Sequence, residues 1–305
     1  MNNEQLMKNL RVPSGKIDVV LDTDAYNEID DQFAIAYLLR APEKLSVKAI
    51  YAAPFKNNKS KGPKEGMEKS YDEIIKLLSL MKIENMLTLR GSESYLPSES
   101  EAVISDAARD LAERVKNYTP EKPLYVVAIG AITNVASAIL LNPDVAKNTV
   151  VVWLGGHALH YHDTNEFNMK QDIAAARVVY KSGVPLVILP CCGVVTNFTL
   201  SKPELEYWFM GKNEVSDYLA KNAIAEAEVY ASGKPWTRVI WDVTAVAWLL
   251  NDNDVFMNGR ILPKAYLPNY DNKYEEEPTG HPMNYIYYIK RDALMNDMVR
   301  RITKD

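Results

Sequence analysis

Four aspartates fall within ten residues near the start of the chain: Asp22, Asp24, Asp30 and Asp31, with Asn27 and Glu28 between them. They come directly after an apolar run, Lys16–Leu21 (KIDVVL), and lead into Asp30–Arg40, whose apolar residues recur at helical spacing. In open parallel sheets, ligands bind beyond the carboxyl ends of the strands, so the residues just past each apolar run matter. After Leu124–Ile129 (LYVVAI) comes Gly130–Asn134 (GAITN), and after Thr149–Leu154 (TVVVWL) come Gly155, Gly156 and His157, then Asn165–Asn168 (NEFN). A later helix opens at Trp241 and Asp242. Aspartate and asparagine cap helices, and acids in a first turn suit the helix dipole, which accounts for Asp30 or Asp242 singly. Capping does not account for Asp22 and Asp24 as well. Crowded carboxylates raise one another's pKa, and a hard, oxygen-liganded cation such as Ca²⁺ or Mg²⁺ relieves the repulsion.

The elements that must position these residues alternate along the chain. Apolar runs at Lys16–Leu21, Val47–Ala53, Met86–Leu89, Leu124–Ile129, Thr149–Leu154, Val184–Leu189 and Asn284–Ile289 read as strands. Helices are expected at Asp30–Arg40, Gly66–Met81, Ser100–Asn117, Ile132–Leu141, Asp172–Ser182, Lys202–Met210, Glu214–Ala231 and Asp242–Leu250, with a closing helix through Leu294, Met298 and Ile302. Continuous Val/Ile/Leu strands between helices predict an α/β fold: an open, mostly parallel sheet flanked by helices on both faces. No repeat or linker divides the chain, so one domain is expected over residues 1–305. The polar stretch Asn269–Gly280 is expected as an exposed loop.

Composition excludes other classes. The 305 residues are 47% hydrophobic and 25% charged, which excludes a mainly disordered chain. The formal net charge of −5 lacks the basic excess of a general nucleic-acid binder. Cys191 and Cys192 are the only cysteines and stand side by side, too close for a relaxed disulfide, so a disulfide scaffold is excluded and a reducing compartment expected. The opening MNNEQLMKNLRVPSGK has no apolar stretch, and no window is long and apolar enough for a membrane span. A soluble, cytoplasmic protein is expected, with no membrane partner.

Five motifs in order carry a resemblance: DTDAYNEIDDQFAIA (Asp22–Ala36), AIGAITNVASAI (Ala128–Ile139), WLGG (Trp153–Gly156), NEFNMKQDIAAARVVYKSGVP (Asn165–Pro185) and WDVTAVAWLL (Trp241–Leu250). Together they make the chain resemble the inosine–uridine-preferring nucleoside hydrolases. The resemblance implies that family's Rossmann-like core and one Ca²⁺ per chain, with Mg²⁺ as the alternative. It implies hydrolysis of the N-glycosidic bond of a ribonucleoside or related ribosyl compound, giving ribose and free base, and a homodimer or homotetramer. By position, Asp24, Asp31 and Asp242 correspond to metal ligands, with the main-chain carbonyl of Ile129, and Asp24 also to the general base. Asp30, Glu166 and Asn168 correspond to groups that grip ribose, and Asp22 to a support behind them. Glycosidic cleavage passes through an oxocarbenium-like state that nearby carboxylates favour.

The chain also departs from the family pattern. Ala25–Ile29 replaces a shorter link, so that Asn27 or Glu28 adds a ligand or narrows the site. Trp241 stands where well-studied members carry a histidine that protonates the leaving base; indole cannot do this, and it either packs under the sheet or stacks on a base. His157, His160 and His162 lie close together, as a solvated loop, a zinc site, or the source of the missing acid, for which His162 is favoured by its nearness to Glu166. Asn57 or Asn58 takes the place of an asparagine expected after the second strand. Tyr230 and Trp236 fall where the family has a mobile aromatic lid, or are core residues. Two alternatives stand beside the hydrolase: a ribose-binding member with weak turnover, and a haloacid-dehalogenase-type phosphohydrolase, which also begins with a strand and Asp-x-Asp.

Overall fold

The computed structural model describes residues 1–304. Ten strands form: β1 (Ile17–Thr23), β2 (Leu45–Ala52), β3 (Thr88–Arg90), β4 (Leu124–Ala128), β5 (Thr149–Leu154), β6 (Leu186–Leu189), β7 (Thr199–Ser201), β8 (Thr237–Val239), β9 (Met257–Leu262) and β10 (Met283–Ile289). The helices are α1 (Asn3–Asn9), α2 (Asp30–Leu39), α3 (Pro63–Leu80), α4 (Asp106–Arg114), α5 (Thr133–Leu141), α6 (Asp144–Asn148), α7 (Phe167–Gln171), α8 (Ile173–Lys181), α9 (Lys202–Trp208), α10 (Glu214–Ala231), α11 (Val243–Leu249) and α12 (Arg291–Ile302). Among the described residues, no helix is long and apolar enough to cross a membrane.

Eight strands make one sheet in the order β3-β2-β1-β4-β5-β6-β10-β9; β7 and β8 form a separate antiparallel ribbon. Every pairing in the large sheet is parallel except that of the edge strand β9 with β10. The chain winds outward from β1 to β3, then returns to place β4 on the other side of β1. This reversal makes the carboxyl ends of β1 and β4 a topological switch point, where such sheets bind ligands.

Strand residues alternate between two cores, as a two-residue period requires. Val19 and Leu21 of β1, with Val150 and Val152 of β5, join the core under α2, α3, α10, α11 and α12. Val20, Val151 and Trp153 join the opposite core, under α4, α5 and α8. Helices α2 and α11 differ from the others. All residues of α2 from Asp30 to Leu38 are buried, and so is all of α11. A helix apolar all round lies inside the protein, so polar residues in its first turn are carried inside with it.

Several elements differ from the sequence expectation. The helix expected from Ser100 begins only at Asp106, where the Ser105 side chain accepts a hydrogen bond from the Ala108 N–H (3.1 Å). Helix α1 was not expected because it lacks an apolar stripe; the Asn2 cap holds it, and Gln5 and Asn9 donate to the Pro120 carbonyl. β9 (MNGRIL) lacks strand-like composition and exists because β10 offers it a pairing edge. The stretch Asn269–Gly280 is not simply a solvated loop. Its Asn272 carbonyl accepts from the Thr164 N–H (2.7 Å), and the Tyr274 hydroxyl donates to the His157 carbonyl (3.0 Å), bracing the segment after β5.

Asn134 of α5 ties the switch point together. Its Nδ2 donates to Asp22 Oδ1 (2.8 Å) and to the Ala52 carbonyl (3.3 Å), and its Oδ1 accepts from the Ser92 N–H (2.8 Å). Asn134→Ala leaves these buried partners unpaired and is expected to lower unfolding stability by about 1–3 kcal/mol. Urea unfolding measures this; an unchanged midpoint would contradict it.

Candidate active site

β1 runs out into Asp24, and the inserted residues make a turn closed by the Asn27 N–H donating to the Asp24 carbonyl (2.7 Å). α2 then begins with Asp30 and Asp31. Neither α2 nor α11 has a side-chain cap at its N-terminus, so capping does not explain Asp30, Asp31 or Asp242. The three converge because α2 and α11 pack together: one carboxylate oxygen from each lies within 4.8 Å of the others. The Asp242 N–H donates to Asp30 Oδ2 (3.3 Å), and Thr23 Oγ1 donates to Asp31 Oδ1 (2.5 Å). Asp24 lines the same cavity, beside Gly130; a Cβ at Gly130 would stand 3.1 Å from Asp24 Oδ1.

Both oxygens of Asp24, Oδ1 of Asp242 and Oδ2 of Asp22 are buried with no hydrogen-bond partner. Unpaired buried carboxylates hold their protons. Burial, followed by the charges of Asp31 and Asp30, pushes Asp24 well above the ordinary carboxylate range. Burial and then Asp30 do the same to Asp31 and Asp242. Burial raises Asp22 to about 7, against the bond from Asn134. Asp30 rises to about 7 through burial and Glu28, opposed by Arg238. An all-oxygen donor set with unpartnered buried atoms fits a hard divalent cation.

The rest of the cavity, of about 260 Å³, comes from the ends of β4, β5 and β6 and from α7. Ile129 and Leu154 line it. Glu166 caps α7: Oε1 accepts from the Asn168 N–H (2.8 Å), and Oε2 from Met169 N–H and Gly156 N–H (2.9 Å each). Gly156 makes that contact with φ at +72°, which glycine adopts without strain. Asn168 Nδ2 donates to the Leu154 carbonyl (3.0 Å), holding Asn168 in the wall. Trp241 also lines the cavity, partly buried beside Asp242.

Other expected residues lie elsewhere. The His162 ring is 85% exposed, pairs with Asp163 (2.9 Å) and faces an adjoining cleft; the turn after Ala158 swings it outward, and His157 is the histidine in the cavity wall. The three histidines do not converge on a metal site among the described residues. Asn57 stands behind the wall, where its Nδ2 donates to Asn27 Oδ1 (2.7 Å); the inserted turn puts Asn27 in the wall instead. Tyr230 is exposed on the outer side of α10 and Trp236 packs on the core, so neither lines the cavity.

Sequence reasoning missed two groups. Arg238 of β8 donates through Nη2 to Glu28 Oε2 (2.6 Å), bringing a guanidinium to the acids from a strand with no sequence signal. Cys191 lines the cavity, and burial followed by the charge of Glu166 pushes its thiol well above the ordinary range.

Comparison with known proteins agrees with this geometry. The family model described as inosine-uridine preferring nucleoside hydrolase matches residues 19–279. The chain belongs to the inosine-uridine preferring nucleoside hydrolase family. As a nucleoside hydrolase it is an N-glycosyl hydrolase of ribonucleosides, and the phosphohydrolase alternative falls away. A relative named non-specific ribonucleoside hydrolase RihC, from Salmonella agona, is 28% identical over 255 residues, covering 78% of this chain and 79% of its own. Two solved structures share the nucleoside hydrolase fold. A plant nucleoside hydrolase, PpNRh1, has a TM-score of 0.75 at 18% identity, covering 96% of this chain and 100% of its own. A purine-preferring ribonucleoside hydrolase from Gardnerella vaginalis has a TM-score of 0.71 at 19% identity, with 94% and 98% covered.

The raised carboxylates give this nucleoside hydrolase a pH signature. Between the ordinary 3.8 and about 7, the folded metal-free protein binds more protons at Asp22 and Asp30 than the unfolded chain does. Their contribution to stability therefore falls as pH rises through that window. A cation held among the neighbouring carboxylates would favour the ionised forms of Asp22 and Asp30, so affinity should rise with pH over the same range. Thermal unfolding with chelator and with Ca²⁺, at about pH 5 and about pH 8, should show the larger cation stabilisation at the higher pH. Equal stabilisation at both would contradict the assignment.

Proposed function

We propose that this nucleoside hydrolase is Ca²⁺-dependent, with Asp24, Asp31, Asp242 and the Ile129 carbonyl as the ligands of one ion and Mg²⁺ as the alternative. The observation that carries the proposal is the set of buried, unpartnered oxygens on Asp24 and Asp242 beside Asp31. When bound, the cation supplies positive charge that keeps these carboxylates ionised and orients a vicinal diol.

The chain's own residues do the rest. Asp24 holds the attacking water and takes its proton as the water oxygen bonds to C1′ and the C1′–N bond breaks toward the base. Asp30, Glu166 and Asn168 grip the ribose hydroxyls, so that a sugar lacking one leaves buried polar groups unpaired. The carboxylates favour the positive charge that builds on the sugar. Trp241 offers a flat face for the base. Asp22, fixed by Asn134, supports the acidic cluster from behind. We propose a homodimer or homotetramer in the cytoplasm, acting on a small ribosyl substrate.

Reducing-sugar release from inosine and uridine, with and without chelator, tests the metal dependence: chelation should abolish release and Ca²⁺ restore it. Asp31→Asn and Asp242→Asn should each weaken Ca²⁺ binding sharply by calorimetry, and retained affinity in both would refute the ligand set. Asn168→Ala should lower kcat/KM for ribosides by roughly 10- to 100-fold and shrink the preference over 2′-deoxy analogues. An unchanged preference would contradict the ribose grip.

A further inference from the structure

The proposed hydrolysis fixes which way a bound riboside points. Its 2′,3′-diol lies on the cation, and its base lies toward the start of α11. The sugar ring then carries C4′ and C5′ the other way, toward α7 and the segments that follow β5 and β6. The residues at that end decide what the substrate carries at C5′.

α7 brings Asn168 to the ribose and Lys170 just beyond it. Phe167 and Lys170, three residues apart on α7, both line the cavity. Lys170 is the only lysine or arginine among the described residues of the wall, and six carboxylates share that wall with it. All six are engaged elsewhere. Asp24, Asp30, Asp31 and Asp242 gather around the cation site, Glu28 pairs with Arg238 (2.6 Å), and Glu166 accepts three backbone N–H groups. Lys170 is exposed and forms no ion pair among the described residues. His157 stands at the same end. Burial holds its ring below the ordinary imidazole range, against Asp163 and with Lys170 adding to the effect. Its Nδ1 accepts the Cys192 N–H (3.4 Å), so the ring proton sits on Nε2, which is 3.9 Å from Asp163, beyond hydrogen-bond distance.

Past His157 the cavity meets a second cleft, of about 920 Å³. A ridge of two segments separates them, joined by the Ala158 N–H donating to the Cys192 carbonyl (2.9 Å) and the Cys191 N–H to the Gly156 carbonyl (2.8 Å). Arg260 and Lys273 line the cleft, and neither forms an ion pair among the described residues. The carboxylates there are mostly taken: Asp163 by His162 (2.9 Å) and Glu275 by Thr279 (2.6 Å), which leaves Glu276. The way out of the acidic cavity beyond C5′ therefore carries uncommitted positive charge.

We infer that the preferred substrates are ribosides phosphorylated at C5′, with Lys170 and the Nε2–H of His157 holding the phosphoryl oxygens and the adjoining cleft giving them room. The inference rests on the hydrolase reading above and deepens it by naming the substrate class. The phosphate ester stays intact. The water oxygen bonds to C1′ and gives its proton to Asp24, the C1′–N pair goes to the base nitrogen, which takes up a proton, and the products are free base and ribose 5-phosphate.

Steady-state kinetics of the Ca²⁺-loaded protein with inosine and inosine 5′-monophosphate, at matched free Ca²⁺, test this. The expected kcat/KM for the monophosphate exceeds that for inosine by about 10-fold or more, the factor one charge-assisted hydrogen bond is worth. Lys170→Gln should bring the two substrates within about 3-fold of each other, and Lys170→Arg should restore the ratio. Ribose 5-phosphate should inhibit the wild-type protein more strongly than ribose by the same factor, and no more strongly than ribose in Lys170→Gln. A monophosphate no better than inosine would overturn the inference, as would a preference that survives Lys170→Gln. Faster inosine turnover on adding inorganic phosphate would also overturn it, by making phosphate a separate effector. Each of these results leaves the hydrolase reading standing; sugar release from neither substrate would overturn both.

Discussion

Everything in this molecule is arranged around carboxylates gathered in the protein interior with too few partners. Asp22, Asp24, Asp30, Asp31 and Asp242 are all buried, and several of their oxygens accept no hydrogen bond. Burying one such charge is costly, and burying several side by side more so, unless protons or a cation neutralise them. A fold selected for stability alone would not keep the arrangement; it is maintained where the charge is used.

The fold imposes the cluster by two means. The reversal of strand order between β1 and β4 opens a crevice at their carboxyl ends, and the chain leaves β1 directly into Asp24. Two helices, α2, buried from Asp30 to Leu38, and α11, buried throughout, bring their first residues into that crevice from one side of the sheet. The partners that do exist are few: Asn134 on Asp22, Thr23 on Asp31, the Asp242 N–H on Asp30, and Arg238 on Glu28. They orient the surrounding groups and leave Asp24 and Asp242 with oxygens to spare. On the other side of the cavity, Glu166 is held by three backbone N–H groups, which makes the short helix α7 a rigid carrier for Asn168.

Much of this was legible in the sequence. Short, β-branched-rich apolar runs such as TVVVWL and LYVVAI, bounded by turn residues, read as strands buried on both faces, which implies the parallel sheet. The acidic cluster was legible because residue type alone made it anomalous. The rest depended on partners distant in the chain. MNGRIL becomes strand β9 only because β10 offers an unpaired edge. His157 and His162 are five residues apart with the same chemistry, and only the turn after Ala158 turns one inward and the other out. Asn57 falls behind the wall because the inserted turn pushes Asn27 forward into it. Arg238 has no local pattern, and its importance comes wholly from Glu28, far earlier in the chain.

The most direct measurement is anomalous diffraction from crystals in which a lanthanide replaces calcium. One strong peak is expected at about 2.3–2.6 Å from oxygens of Asp24, Asp31, Asp242 and the Ile129 carbonyl. Diffraction showing those side chains ordered with no peak among them, or a peak only elsewhere, would contradict the shared cation on which the chemistry depends.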